Sequence, residues 1–202
     1  SRRWCRRIPS RSIMALISEE YPMQIIDLST KPTAIKTFKT FYHDINIADI
    51  NETHGLIAIV TMKHILRIID WTTSICVSTV DLKRSDAQSL VFSGSWGYVV
   101  VFFPDSASVY SMNGQFIQNY SLDSGDGIIK WVDRLGFDYI AVYHRSGDVD
   151  VYELPNLTKP QHYEDLIGTS IVHLVFHQAS NSLVALTKDF TFCSLQLSEM
   201  LD

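Results

Sequence analysis

Seven histidines, three cysteines and scattered acids are the side chains of this 202-residue chain that could ligate a metal or move a proton. His173 and His177 are four residues apart, a spacing that brings two ligands together on a helix. Their context, SIVHLVFHQ, is β-branched and aromatic and reads as a strand. There the two side chains share a face but lie about 13 Å apart, too far for one metal. The segment Asp123-Ser-Gly-Asp-Gly127 has the look of a calcium loop. Its acids miss the alternate positions of an EF-hand and no glutamate closes it, so it reads as a polar loop. Phe92-Ser-Gly-Ser-Trp-Gly97 lacks the Gly-x-Ser-x-Gly spacing of a nucleophile elbow and reads as a turn between two strands. Cys5, Cys76 and Cys193 are odd in number and form no CxxC pair, against both a disulfide framework and a zinc site. Asn51-Glu-Thr53, Asn119-Tyr-Ser121 and Asn156-Leu-Thr158 are formal glycosylation acceptors, expected to go unused beside free cysteines. Trp71, Trp96 and Trp131 are of the type that anchors interfaces, but each lies in or beside a strand, where packing between sheets explains it better. The expectation is no catalytic, metal or cofactor-binding residue, hence no enzyme, with the partner-binding residues unnamed.

The elements that carry these residues repeat. QIIDLST from Gln24, RIIDWTT from Arg67, SVYSMNG from Ser108, DVYELPN from Asp150 and CSLQLSE from Cys193 start 43, 41, 42 and 43 residues apart. A four-stranded propeller blade repeats at roughly 40 to 45 residues. Helical solenoids have similar periods, so strand content decides. Each segment follows a short run rich in valine, isoleucine and aromatics: Met14 to Ile17, Leu56 to Val60, Tyr98 to Phe103, Tyr139 to Tyr143 and Leu183 to Leu186. Such runs read as strands buried on both faces. Gly55, Gly97, Gly114, Gly147, Asp105-Ser106 and Asn181-Ser182 punctuate them as turns. The fold class is all-β.

Four strands can be drawn in one unit, INIADI, LIAIV, ILRIID and ICVSTVDL, and again in the next, AQSLVFS, YVVVFF, SVYSM and QFIQNYSL. A third unit gives IIKWVDRL, YIAVYH, DVDVYEL and an outer segment at Gln161 to Tyr163, where Pro160 fits because proline is tolerated at a sheet edge. The first unit has only the basic region Arg2 to Ile8 for an inner strand. The last, with SIVHLVFH, SLVALT and FTFCSLQL, stops where an outer strand is expected, a strand that would come from upstream of Ser1. Residues 1–12 read as a basic segment or incomplete first strand, and 13–202 as blades with limits near 13–43, 44–85, 86–126, 127–168 and 169–202. The prediction is a partial β-propeller, about four to five antiparallel blades of a seven-bladed ring.

Composition fits a packed domain, with 46% hydrophobic residues and no apolar run near the roughly 18 to 20 residues of a membrane span. Formal charge is −5, yet Arg2, Arg3, Arg6, Arg7 and Arg11 crowd the first eleven residues. The rest of the chain, with 12 basic and 22 acidic residues, would repel a phosphate backbone, which disfavours nucleic acid. The cysteines suggest a reducing, cytoplasmic setting.

The pairs Ile26-Asp27, Ile69-Asp70, Tyr110-Ser111, Tyr152-Glu153 and Leu195-Gln196 stand where a WD40 repeat ends its third strand in Trp-Asp. Val172 to Asp189, VHLVFHQASNSLVALTKD, resembles that family's inner strand, tight turn and second strand, with His177 at the strand-ending turn. LVFSGSWGYVVVFF and SVYSMNGQFIQNYSL further resemble the C-terminal WD40 region of BEACH-domain proteins. The resemblance covers most of the chain after residue 12. It implies a WD40-like propeller serving as a non-catalytic protein-interaction scaffold in vesicle trafficking or membrane dynamics, cytoplasmic and peripheral to endomembranes. Protein partners are expected at propeller rim loops, with membrane association only indirect, through the parent protein. A structural subunit of a coat or tethering assembly is the alternative, ahead of a propeller-fold hydrolase.

Overall fold

The structure, a computed structural model, describes residues 4–8, 13–17, 23–27, 33–37, 44–93, 96–121, 129–134, 139–144, 148–157, 161–164 and 171–196. Asp123–Gly127 and Pro160 lie outside the described residues. The chain divides into two compact units, Ser1–Ser85 with Met112–Gly114, and Asp86–Ser111 with Gln115–Asp202.

In the first unit, β1 (Trp4–Ile8), β2 (Ile13–Ile17), β3 (Gln24–Asp27) and β4 (Thr33–Thr37) form one antiparallel meander. The basic segment at the start of the chain thus contributes a strand, β1, paired along its length with β2. A second meander follows: β5 (Ile45–Asn51), β6 (Leu56–Thr61), β7 (Ile65–Asp70) and β8 (Ile75–Asp81). Burial explains the composition of these strands. All six residues of β6, LIAIVT, are buried, because a central strand covered on both faces needs a continuous apolar run. On β8 most positions are exposed. Met23, just before β3, and Ile25 on it pack with Ile50, Ile57, Ile59 and Ile69 of the second sheet into one core.

The second unit holds three further sheets. The third comprises β9 (Ser89–Phe92), β10 (Val99–Phe102), β11 (Ser106–Tyr110) and β12 (Phe116–Ser121). The fourth comprises β13 (Ile129–Arg134), β14 (Tyr139–His144), β15 (Val149–Glu153) and β16 (Gln161–Tyr163). The fifth comprises β17 (Ile171–His177), β18 (Ser182–Thr187) and β19 (Phe192–Gln196), with a short 3-10 turn at Gln178–Ser180. All neighbours are antiparallel and every sheet keeps sequence order.

Successive side chains of a strand point to opposite faces, and β14 uses both. Ile140 and Val142 join Val91, Val100, Phe102 and Val109 of the third sheet in one core. Their neighbours Ala141 and Tyr143 join Ile171, Leu174, Leu183 and Ala185 of the fifth sheet in another. The Tyr143 hydroxyl also accepts a hydrogen bond from the Ile171 backbone N–H at 3.1 Å, tying fourth sheet to fifth. Each fully buried side chain of this size contributes about 1.5–3 kcal/mol. The first strands of these sheets are neighbours, β9 beside β13 and β13 beside β17, so the sheets radiate from their first strands outward.

Candidate interaction site

The histidine pair is dispersed by the strand it lies on. His173 pairs with Leu186 and His177 with Ser182 along β17 and β18. His177 ends the strand, and its Nδ1 lies 2.6 Å from the Ser180 hydroxyl, itself 2.6 Å from the Ser182 hydroxyl. The set caps the β17–β18 turn. Among the described residues no three histidine, cysteine or acidic side chains come close enough to hold a metal ion. No helix among them is long and apolar enough to cross a membrane.

Other polar candidates also resolve into turn chemistry. Asn51 is buried, and its Oδ1 accepts the His54 backbone N–H at 3.0 Å, closing the β5–β6 turn. Asn119 Oδ1 accepts from the Ser108 hydroxyl across β11 and β12 at 2.9 Å. Both side-chain oxygens are thus engaged within the fold. Asp70, the aspartate of one eroded Trp-Asp pair, caps the turn after β7. Its Oδ1 accepts from the Thr72 N–H at 2.8 Å, the Thr72 hydroxyl at 2.6 Å and the Thr73 N–H at 3.0 Å. The Thr72 hydroxyl bond, seconded by the Thr73 amide, holds its carboxyl below the usual aspartate range despite some desolvation.

Of the segment Phe92–Gly97, Gly94 and Ser95 lie outside the described residues; Ser93 and Tyr98 close the β9–β10 connection on either side of them. The Ser93 N–H donates to the Tyr98 carbonyl at 2.7 Å, and the Tyr98 N–H donates to the Ser93 hydroxyl at 2.8 Å. Trp96 stands in that turn 67% exposed. Packing between sheets does not account for it. Trp71 behaves differently, half-buried against the core of the first unit with its indole N–H buried and without a hydrogen-bond partner. Trp131 is a residue of β13 whose side chain lies outside the described set.

A four-stranded meander places its first and third turns at one end of the sheet. In the third sheet these are the β9–β10 turn, with Trp96, and the β11–β12 turn, bordered by Tyr110 and Phe116. Tyr110 is buried and Phe116 is 55% exposed; their ring centroids are 5.7 Å apart at 68°, an edge-to-face contact that fixes the outer ring on the inner one. Ile117 continues the exposed apolar surface along β12. A second exposed pair, Phe190 and Phe192, lies at the β18–β19 turn, the end of the fifth sheet away from its first hairpin.

The same arrangement of sheets recurs in solved structures. A Kluyveromyces lactis Hsv2 with complete loop 6CD superposes with a TM-score of 0.72 at 14% identity over 96% of this chain and 59% of that one. The fold is a partial WD40-like β-propeller. The same Hsv2 with loop 6CD replaced by a Gly-Ser linker gives a TM-score of 0.71 at 14% identity over 95% of this chain and 61% of that one. A further K. lactis Hsv2 structure gives 0.63 at 14% identity over 97% of this chain and 75% of that one. The chain thus spans about 60% of the length of the first of these propellers. No family model and no curated protein matches the sequence. At 14% identity the likeness is one of fold.

One arrangement in the propeller has no counterpart among the sequence motifs. Asp150 of β15 and His162 of β16 stand directly opposite each other, Oδ1 to Nδ1 2.6 Å. No spacing motif covers such a pair. The signal available was the register between DVDVYEL and the Gln161–Tyr163 segment, which aligns the acid with the imidazole once the two strands are paired.

Proposed function

We propose that this propeller is a non-catalytic platform for protein partners, engaged at the end of the third sheet where Trp96 and Phe116 are exposed. The carrying observation is the large aromatic surface of Trp96, left in solvent on a turn whose flanking strands are buried. Tryptophan in such a place brings much contact area at little entropic cost, the pattern of a binding hot spot. The polar groups that converge elsewhere do so as turn caps and a cross-strand pair, which supports a binding role over turnover.

The finer reading places the platform in a cytoplasmic BEACH-type scaffold acting in vesicle trafficking, with membrane contact through the parent protein. Its support is that the two stretches carrying that resemblance, Leu90 to Phe103 and Ser108 to Leu122, are those that hold Trp96 and Phe116. The test is a photo-crosslinking residue placed at 96, at 116 and, as a control on an exposed outer strand, at 79 in the full protein. Specific adducts at 96 and 116, and at least a tenfold affinity loss for the crosslinked partner on Trp96→Ala, are expected. Equal labelling at all three positions would overturn the reading.

A further inference from the structure

The fourth sheet ends in an unusually short outer strand. β16 has three residues, paired Val149 to Tyr163, Asp150 to His162 and Val151 to Gln161. Tyr163 gives it one apolar anchor, packed against the core shared by the fourth and fifth sheets. The other anchor is polar. Asp150 is buried on β15 and presents Oδ1 to His162 Nδ1 at 2.6 Å, while Oδ2 takes a longer contact from the Tyr152 hydroxyl at 3.4 Å. His162 has about half of its side chain in solvent, so protons reach it freely.

We propose that the Asp150–His162 pair is a pH-sensitive clasp that fastens β16 to its sheet while His162 is protonated and loosens it when the imidazole is neutral, baring the edge of β15. The charges that act on His162 among the described residues are acidic: Asp150 foremost, then Asp148 on the stretch entering β15 and Glu164 just beyond β16. The hydrogen bond from Asp150 holds the imidazole above its ordinary range, against a smaller opposing effect of desolvation. A group whose proton binds more tightly in the folded state contributes stability that is complete below its unfolded pKa and is lost as pH rises through the folded value. The clasp is therefore complete on the acid side of about 6.5 and loosens as pH rises through the raised folded value. Opening leaves β15 with unpaired backbone groups along one side, the kind of edge that accepts an incoming strand.

Hydrogen exchange over 149–153 and 161–164, corrected for the intrinsic pH dependence of amide exchange, tests the clasp on the full chain. Between pH 6 and pH 8 the protection of these segments is expected to fall roughly two- to fivefold, the scale of a half-exposed ion pair. The same measurement over β10 and β11 of the third sheet should show no such change. His162→Gln should remove the pH dependence at little cost to folding, since the side chain is half in solvent; Asp150→Asn should do the same and lower the NMR-measured pKa of His162. Protection that is flat with pH in the native chain, or a pH dependence that survives in His162→Gln, overturns the proposal.

Discussion

Gly114 sits in the turn after β11 with φ +77°, a left-handed conformation that costs an L side chain about 1–2 kcal/mol. Alanine there meets a second obstacle. A Cβ built on Gly114 collides with the Ser78 hydroxyl, stands 2.8 Å from Ser78 Cβ and 3.1 Å from Val80 Cγ2, all on β8. Ser78 is held in the β7–β8 ladder opposite Ile68, so it cannot retreat without dragging the strand. Overpacking of this kind adds about 1–3 kcal/mol. Gly114→Ala should therefore destabilise the first unit by about 2–5 kcal/mol, read from denaturant titrations followed by a probe in that unit. Three variants separate the two contributions. Gly114→Asn relieves the backbone part, because asparagine tolerates left-handed φ, but keeps the collision. Ser78→Gly with Gly114→Ala removes the collision and keeps the backbone part, so the double-mutant cycle should show a favourable coupling of about 1–3 kcal/mol. Ser78→Ala should rescue less, since it leaves the Cβ contact in place. A Gly114→Ala cost under about 0.5 kcal/mol, or strict additivity in the cycle, would refute the claim that this turn is packed on β8.

The remaining expectations concern the turn cap and the two faces of a strand. Asp70→Asn should cost about 1 kcal/mol at neutral pH by weakening three hydrogen bonds, two of them from backbone amides. Because its carboxyl titrates below the usual range, Asp70 contributes stability above its unfolded pKa and loses it as pH falls through the lower folded value; acid unfolding followed below about pH 4 should show a shallower limb in the variant. Ile140→Ala should cost about 2–5 kcal/mol by opening a cavity between the third and fourth sheets, whereas Ile117→Ala on the outer β12 should stay within about 0.5 kcal/mol, both by denaturant midpoint.

Legibility in the sequence followed how far a signal depends on one strand alone. The 41 to 43 residue repeat reports a period, and periods survive the erosion of motif residues, so the meanders were visible even where Trp-Asp had become Tyr-Ser or Leu-Gln. The eroded pairs kept their physics in at least one place, since Asp70 still caps its turn although the tryptophan partner is now Ile69. Trp96, expected to pack between sheets, is instead 67% exposed. The sequence sets it in a turn beside two strands, but exposure is decided by what the turn faces, which its neighbours in sequence do not record.

The contrast between β14 and β15 shows what pairing adds. YIAVYH reads as apolar throughout, and the structure divides it into two faces serving two cores, a result that alternation alone foretells. In DVDVYEL alternation puts Asp148, Asp150 and Tyr152 on one face and Val149, Val151 and Glu153 on the other, which leaves open what covers the acid-bearing face. Asp150 is buried there, and the imidazole that, with the nearby Tyr152 hydroxyl, makes burial tolerable is twelve residues away on β16 and meets it only through register. A buried carboxylate without a cation or donors would cost far more than a surface one, so Asp150 and His162 constrain each other in a way that neither residue's local context records. The outer strand of the fourth sheet is therefore specified less by its own three residues, QHY, than by the carboxylate waiting opposite the middle one.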